Sequence, residues 1–331
     1  MPDNTYQAIV AEEINGIYVQ SVKECSFSGL PANDVLIRVH YSSLNYKDAL
    51  SATGYRGITK SYPFTPGIDA AGVVVESKSN LFKEGDRVIV TSYDLGMNTP
   101  GGFGQFISVP AEWIVPLPKN LTLKESMMIG TSGLTAAIGV DKLISKPIEP
   151  FDGQIIVSGA TGGVGSFAVA LLSHLGYQTV AITGKSNQHN FLKSIGANKI
   201  FSRQEIMNIP DKPLVSSKWI AAIDTVGGEM LDSILRQIEH NGIVACCGNV
   251  AGNQLHTSIL PFILRGISLL GIDSGIARME FRKTIWNKLS SDWKPANLHK
   301  LFREVTLGEL PQEISRILKG NQIGKVLVNL F

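Results

Sequence analysis

The clearest pattern in the chain is an apolar run that ends in a cluster of glycines and resumes as a helix. Residues 155–158 are typical of a buried parallel strand, and 164–175 keep apolar residues at helical spacing. The glycines between and beside them let the backbone turn sharply and approach a phosphate at the positive end of the helix. These are Gly159, Gly162, Gly163 and Gly165. The pattern predicts a dinucleotide-phosphate site, although a tight strand-to-helix turn would also favour glycine.

Two regions with different hydrophobic periods flank this turn. Up to about residue 125, short alternating or β-branched runs broken by glycine and proline predict a mostly antiparallel β domain. These runs are 7–11, 35–41, 70–77, 86–91 and 104–110. From Lys124 onward, helical patterns beginning with 125–144 alternate with strand-like runs, which predicts a doubly wound parallel sheet. The strand-like runs are 155–158, 178–183, 199–201, 219–224, 242–247 and 267–272.

The end of the chain returns to the β pattern. A helical stretch at 277–290 is followed by a strand-like segment at 325–331, and a terminal strand needs a sheet to join. We therefore expect an α/β protein in which a nucleotide domain, 126–276, is inserted into a β-rich domain. That outer domain would comprise 1–125 and be completed by 277–331, with a cleft between the two domains.

Composition narrows the functional class. The chain has 331 residues, a formal net charge of +2 and 18% charged residues, so nothing indicates a nucleic-acid or membrane partner. Three cysteines, Cys25, Cys246 and Cys247, show no metal-binding or redox spacing and suit a reducing compartment. The first residues carry no secretory pattern, and we expect a cytoplasmic protein.

The strand after the glycine turn indicates which dinucleotide binds. It ends roughly 20 residues past the glycines, where an NAD site places Asp or Glu against the ribose 2′-hydroxyl. The chain instead has Thr183, Gly184 and Lys185 there, and Arg203 follows the next short strand. Cations beside a hydroxyl suit a 2′-phosphate and predict NADPH, although both could be ordinary solvated surface cations. Asp224, which ends a later strand, is either part of the ligand-binding edge or a helix cap.

The order of motifs resembles the medium-chain dehydrogenase/reductase superfamily. The motifs are Asn45-Tyr46-Lys47-Asp48, Pro66-Gly67-Ile68-Asp69-Ala70-Ala71-Gly72, Gly85-Asp86-Arg87-Val88, Thr161-Gly162-Gly163-Val164-Gly165 and Asp224-Thr225-Val226-Gly227-Gly228. Within it, the chain is most similar to the zinc-free quinone oxidoreductase branch and its bacterial NADPH-dependent acrylyl-CoA reductase group. The resemblance implies a Rossmann domain inserted into a GroES-like catalytic domain.

The same resemblance implies that no metal is bound. Zinc-dependent members carry a cysteine where this chain has Asn45, and a His-Glu pair where it has Ile68 and Asp69. Catalytic zinc usually takes three protein ligands, and His40 is the only imidazole nearby. We expect His40 to be an ordinary strand residue.

Site residues implied by the resemblance fall into two groups. The catalytic candidates are Tyr46 as proton donor or cofactor contact, Asn45 as hydrogen-bond donor to substrate, Asp48 as an orienting group and Asp69 at the cleft. Asn45 to Asp48 could instead be only a helix N-terminal turn, Asp69 an acid bonded to backbone, and Ile263 a buried aliphatic. The cofactor-binding candidates are Tyr46, Thr161, Gly162, Gly163, Val164, Gly165, Thr183, Gly184, Lys185, Arg203, Asn249, Ile263, Ser274 and Asn321.

The function implied is NADPH-dependent reduction of the activated C=C bond of acrylyl-CoA or a similar short 2-enoyl-CoA, without metal. One alternative is an NADPH:quinone or enone oxidoreductase using the same hydride site. A non-enzymatic alternative is an NADPH-binding, crystallin-like protein. The resemblance also suggests a homodimer formed through edge strands near 267–272.

Overall fold

The computed structural model describes residues 5–146 and 148–331, which form two compact units. The first unit comprises the described part of Met1–Thr131 together with Gly275–Ser290 and Phe302–Phe331. The second comprises the described part of Ser132–Ser274 together with Ser291–Leu301. This division differs from the expected one mainly in the short stretch Ser291–Leu301, which groups with the second unit.

The strands, numbered along the chain, include several that the hydrophobic pattern did not predict. They are β1 (Thr5–Ile14), β2 (Ile17–Ser26), β3 (Val35–Leu44), β4 (Asp69–Ser77), β5 (Arg87–Thr91), β6 (Phe106–Val109), β7 (Ile114–Pro116), β8 (Gln154–Val157), β9 (Gln178–Thr183), β10 (Lys199–Ser202), β11 (Trp219–Asp224), β12 (Ile238–Cys246), β13 (Ser268–Gly271), β14 (Phe302–Thr306) and β15 (Lys325–Asn329). Among them, β2, β7 and β14 were not predicted.

The helices follow the same numbering. They are α1 (Tyr46–Ala52), α2 (Leu123–Ile144), α3 (Gly163–His174), α4 (His189–Ser194), α5 (Arg203–Met207), α6 (Gly228–Leu235), α7 (Leu260–Arg265), α8 (Met279–Leu289) and α9 (Leu310–Leu318).

The first unit is built around a seven-stranded sheet in the order β14-β15-β3-β4-β5-β7, with β6 paired to β3. The late strand β15 runs antiparallel to β3, with Val326 opposite Leu44, so the expectation that the end of the chain joins this sheet is correct. Alternate residues of β3, such as Ile37 and Val39, are buried in the core of the unit, as the period-2 pattern requires. This pairing brings the start of β15 beside the end of β3.

The second unit is a six-stranded parallel sheet in the order β10-β9-β8-β11-β12-β13. The strand order reverses between β8 and β11, which is where ligands bind in doubly wound sheets. Six predicted strands account for the whole sheet, and the predicted Rossmann architecture is confirmed. Helix α3, which follows the glycine turn, is apolar and mostly buried.

Helix α2 differs from the continuous helix that its sequence predicts. Gly130 has φ 51° and ψ −161°, so the helix is interrupted there and restarts at Thr131. By length and apolarity α2 could cross a membrane, but 78% of its most apolar 18-residue stretch is buried inside the protein, as in a core helix. A glycine is required at the interruption because only glycine adopts this conformation readily.

Candidate active site

In the glycine turn of the second unit, the backbone atoms of neighbouring glycines lie very close to one another. Gly159 has φ +57°, and its carbonyl accepts a hydrogen bond from the Gly162 amide at 2.9 Å. A Cβ on Gly165 would lie 2.3 Å from the Gly159 oxygen, so any other residue here would force the backbone to shift. The first amides of α3 have no intrahelical acceptor, as in any helix, and Gly162 at the N-cap has no side chain to accept from them. The geometry of the turn is therefore compatible with the phosphate site that the sequence predicts.

Asp224 supports this turn from the neighbouring strand. The Asp224 carboxylate is fully buried, and its Oδ1 accepts a hydrogen bond from Ser158 Oγ at 2.6 Å. Asp224 Oδ2 accepts from the Gly227 amide at 2.8 Å, just before α6 begins. Burial raises the pKa of Asp224, although these hydrogen bonds lower it. Asp224 therefore fixes the turn that precedes α6 without capping the helix, since Gly227 is its N-cap residue, and it ties the ends of β8 and β11 together through Ser158.

Two cations lie close together where β9 ends. A Cβ on Gly184 would lie 3.2 Å from Arg203 Nε, so the guanidinium packs against the backbone of residue 184. Burial, and then the charge of Arg203, lower the pKa of Lys185. Thr183 is 4% exposed and its Oγ1 accepts the Lys185 amide at 3.0 Å. Mutual repulsion of two cations favours an anion between them, as expected of a 2′-phosphate site.

Arg203 also lines a cavity of about 790 Å³ within the second unit. Met207 and Met230 supply apolar walls, while Asn208, Glu229 and His256 supply polar ones. A mostly apolar cavity with a few polar groups is typical of a small-molecule site.

In the first unit, the predicted catalytic residues lie where β3 passes into α1. Asn45 precedes the helix and Tyr46 is its first residue. Asp48 Oδ2 accepts the Asn45 amide at 2.7 Å, and Asp48 Oδ1 accepts the Ile68 amide at 2.8 Å. Burial, followed by the neighbouring Asp69 carboxylate, raises the pKa of Asp48 to about 7, against these hydrogen bonds and Lys325, which lower it. The carboxylate thus fixes the first turn of α1.

Asp69 accepts hydrogen bonds from several chain segments. Its Oδ2 accepts Ser43 Oγ at 2.5 Å and Asn45 Nδ2 at 2.9 Å. Its Oδ1 accepts Thr131 Oγ1 at 2.5 Å, and both oxygens lie near the Thr131 amide, at 3.1 and 3.0 Å. Asp69 therefore caps the helical segment that restarts after Gly130.

Lys325 completes this cluster and was not predicted from the sequence. Its Nζ donates to Asn45 Oδ1 at 2.9 Å and lies 3.4 Å from Asp69 Oδ2, with only 2% of the residue exposed. Burial lowers the pKa of Lys325, although Asp69 and Asp48 raise it. A Cβ on Gly130 would lie 2.6 Å from both Asp69 Oδ2 and Ser43 Oγ, so the cluster occupies the space that a side chain would need.

The four predicted catalytic residues thus differ in access. Asp48 and Asp69 are fully buried and bonded to protein donors, and Asn45 is 8% exposed. Asn45 Nδ2 donates to Asp69 Oδ2 and, at 3.2 Å, to the Ser43 carbonyl, so both of its amide hydrogens point into the protein. Tyr46, by contrast, is 41% exposed. A direct contact of Asn45, Asp48 or Asp69 with substrate remains a prediction that this geometry does not favour.

The remaining predicted cofactor residues are spread over both units. Asn249 is exposed beyond β12, and Ser274 is 9% exposed with its Oγ 2.6 Å from Thr135 Oγ1. Asn321 is exposed before β15 in the first unit. Ile263 is 64% exposed on α7, so the alternative that it is a buried aliphatic is wrong. A short helix can hold an apolar side chain outward when only one of its faces packs.

A metal-binding cluster is absent from the residues described. Within 5–146 and 148–331, no group of three or more His, Cys, Asp or Glu side chains could hold a metal ion. His40 lies in β3 with its ring edge-on to Phe331, at 4.5 Å between ring centroids. Burial lowers the pKa of His40, and the nearby Arg38 and Arg87 lower it further.

Comparison with known proteins gives full-length matches. Residues 31–119 match the alcohol dehydrogenase GroES-like domain, and residues 163–291 match the domain described as zinc-binding dehydrogenase. The putative quinone oxidoreductase YhfP of Bacillus subtilis is 44% identical over 98% of this chain and 99% of its own length. The probable acrylyl-CoA reductase AcuI of Escherichia coli is 40% identical over 98% and 99%, respectively.

Solved structures agree with these matches. The yhdH oxidoreductase of Salmonella enterica in complex with NADP has a TM-score of 0.95 and 41% identity, over 98% of this chain and 100% of that one. Bacillus subtilis yhfP with NAD bound has a TM-score of 0.96 and 43% identity, over 99% and 100%. With these full-length matches, the predicted resemblance is confirmed: the chain belongs to the medium-chain dehydrogenase/reductase superfamily of oxidoreductases, among relatives named quinone oxidoreductase and acrylyl-CoA reductase.

Proposed function

We propose that this protein is an NADPH-dependent reductase of carbon–carbon double bonds conjugated to a thioester, with acrylyl-CoA or a similar short 2-enoyl-CoA as substrate. The observation that carries the proposal is the pair of adjacent cations, Lys185 and Arg203, next to a glycine turn that fits a phosphate. A relative named acrylyl-CoA reductase, 40% identical over 98% of the chain, supports the substrate class.

The second unit would hold NADPH by its phosphates. The amides at the start of α3, from Gly163 to Gly165, would bind the pyrophosphate, with Thr161 and Gly162 in the turn. Lys185 and Arg203 would neutralise the 2′-phosphate, and Thr183 would orient it through its hydroxyl. The cavity lined by Met207 and Met230 would take the adenosine portion. When bound, NADPH supplies the hydride for the reduction.

The first unit would supply the proton and the hydrogen bond to the substrate oxygen. Addition of a hydride equivalent at the β carbon of an enoyl thioester leaves an enolate with negative charge on the thioester oxygen, and a positioned donor stabilises that charge. A proton added at the α carbon then completes the reduction. Tyr46 Oη is the candidate donor because Tyr46 is the exposed member of the predicted catalytic set. Asp48 and Asn45 would hold the turn that carries it. The carboxylates of Asp48 and Asp69 accept hydrogen bonds from buried protein donors, so the proposal gives neither of them a direct contact with the substrate.

Reduction of quinones or reactive enones is the second candidate. It is favoured by the relative named putative quinone oxidoreductase, which is 44% identical over 98% of the chain. The two activities would share the hydride site and differ in whether groups of the protein recognise the CoA moiety.

Steady-state assays that follow NADPH consumption distinguish these functions. The acceptors are acrylyl-CoA, crotonyl-CoA, free acrylate and a panel of quinones. We expect kcat/KM for the CoA esters to exceed that for quinones by at least about 10-fold, equivalent to about 1.4 kcal/mol of transition-state stabilisation. A preference for quinones would support the second candidate, and tight NADPH binding without turnover of any acceptor would indicate a non-catalytic protein.

Coenzyme choice is tested by Lys185→Ala. We expect it to weaken NADPH binding by about 1.5–3 kcal/mol, the cost of losing a charge-assisted hydrogen bond, while NADH binding barely changes. Calorimetric titration with both coenzymes measures the difference. Lys193→Ala, at an exposed lysine of the same unit, is the matched control and should leave both affinities unchanged. Equal losses for NADPH and NADH would contradict the assignment.

A further inference from the structure

The side chain of Asn45 is held at both ends by charged groups inside the first unit. Its Nδ2 donates to the Asp69 carboxylate at 2.9 Å, and its Oδ1 accepts from the Lys325 ammonium at 2.9 Å. The two ends of an amide have nearly the same shape but opposite hydrogen-bonding character. A carboxylate on one side and an ammonium on the other therefore permit only one orientation of the Asn45 amide.

Sheet register brings Lys325 to this position. Val326 lies opposite Leu44 in the β15–β3 ladder, so Lys325 and Asn45 follow as neighbours at the same edge of the sheet. The next residues of β15, Val326, Leu327 and Val328, are fully buried and apolar. Lys325 is thus a charged residue at the start of a core strand, directly against the residue that precedes Tyr46.

Stability alone gives a weak reason for an ammonium here. Desolvating two charges costs about as much as their attraction returns, and apolar residues of similar volume are often as stabilising. A buried charge does, however, specify one arrangement of its partners where an apolar side chain would permit several. The contact of Lys325 with Asn45 bears on local geometry, because an ammonium can only donate and so requires the amide oxygen on its side.

The orientation of Asn45 bears on Tyr46 through the backbone. The backbone N–H of Asn45 donates to Asp48 Oδ2 at 2.7 Å, and this hydrogen bond fixes the first turn of α1. Tyr46 follows Asn45 directly and is the exposed residue of that turn. A change in the Asn45 side chain would consequently shift the position from which the Tyr46 hydroxyl projects.

We propose that Lys325 is a positioning residue for the reduction: its ammonium fixes the orientation of Asn45 and thereby the placement of Tyr46. The proposal rests on the proposed function in one respect, namely that Tyr46 contacts the substrate or the cofactor. Lys325 itself is 2% exposed and acts through Asn45 rather than on the substrate.

Lys325→Met tests the proposal, because it keeps an unbranched side chain and removes the ammonium. We expect kcat to fall about 10- to 100-fold, as a displacement of about 1 Å in a reacting group can cost 10²-fold. The matched control is Arg303→Met on the adjacent strand β14, which removes a half-buried cation paired with the buried Glu313 of α9. Both variants should lower the unfolding temperature, but the control should keep kcat within about 2-fold of the wild type.

Lys325→Gln separates hydrogen bonding from charge. Its side-chain NH₂ group retains a donor for Asn45 Oδ1, so kcat should lie within about 5-fold of the wild type and well above that of Lys325→Met. Should Lys325→Met fail to fold, Lys325→Leu, which also lacks the donor, takes its place in the double-mutant cycle below. Equal loss of kcat in the Met and Gln variants at matched stability would overturn the proposal.

Combination with Tyr46→Phe gives the decisive readout. Because Lys325 acts through Tyr46, the double variant should be no slower than Tyr46→Phe alone, whereas independent structural effects would multiply. Multiplying effects would overturn the proposal, as would a folded Lys325→Met enzyme with full kcat. Three quantities are measured for each variant of the cycle: kcat with crotonyl-CoA, kcat with a quinone, and the affinity for NADPH. Inactivity of the wild type toward CoA esters would then count against the substrate assignment, while the coupling to Tyr46 is still read from the other two measurements.

Discussion

The glycine turn of the second unit and the Asn45–Asp69–Lys325 cluster of the first achieve rigidity by different means. In the turn, backbone packs on backbone, and the missing side chain of Gly165 lets the chain pass 2.3 Å from where a Cβ would stand. In the cluster, side chains from four distant segments meet in the interior, around residues 43–48, 69, 131 and 325. The residues of the turn lie within one short stretch of sequence, whereas the residues of the cluster come together only when the chain folds.

The largest effect should come from removing the carboxylate shared by the cluster. Asp69→Ala would leave the Lys325 ammonium buried without its counter-ion and the Thr131 amide without its acceptor, and should cost about 3–5 kcal/mol of unfolding free energy. Urea denaturation measures it. Asp86→Ala, at a half-buried carboxylate that accepts the Lys83 amide, should cost under about 2 kcal/mol. Equal losses of unfolding free energy in the two variants would show that the burial of Asp69 adds nothing to its contribution to stability.

A smaller loss is expected in the glycine turn. Gly165→Ala places a methyl group against the backbone of Gly159 and Ala160 and should cost about 1–3 kcal/mol, since backbone cannot yield as a flexible side chain can. Gly162→Ala is the matched control in the same turn, where the new Cβ would lie 3.4 Å from the Gly159 oxygen. Its unfolding free energy should stay within about 1 kcal/mol of the wild type. The comparison between the regions would weaken if both alanines were tolerated equally.

The smallest effect is a pH dependence that comes from Asp48 in the cluster. The pKa of Asp48 is raised from its ordinary value of 3.8 to about 7 in the folded protein, chiefly by burial and next by Asp69. The folded state therefore binds the proton more tightly, and this contribution to stability is full below the unfolded pKa and is lost as pH rises through the folded one. Between about pH 4 and pH 7, the unfolding free energy of the wild type should fall relative to that of Asp48→Asn, by at least about 1 kcal/mol. Denaturation at several pH values would show it, and parallel curves for the two proteins would contradict it.

The difference between the regions also explains what the sequence could predict. Strand, glycines and helix follow one another along the chain, so the nucleotide turn and the six parallel strands could be predicted from local order. The motif Asn45 to Asp48 was recognisable, but the buried state of Asp48 and the inward amide of Asn45 were not, because they depend on Asp69 and Lys325. The interruption at Gly130 was missed for a similar reason, since a lone glycine within a helical pattern gives no sign of the side chains packed against it.

Lys325 stands 280 positions after Asn45 along the chain. Because a ribosome makes the chain from its N-terminus, all of the nucleotide-binding sheet is synthesised before the ammonium that joins Asn45 to Asp69 exists. Until the last strand arrives, Asp48 and Asp69 must be neighbours without their cation, or remain apart. The Asn45–Asp69–Lys325 cluster therefore forms only after β15 has been synthesised, whereas every strand of the parallel sheet is already present by then.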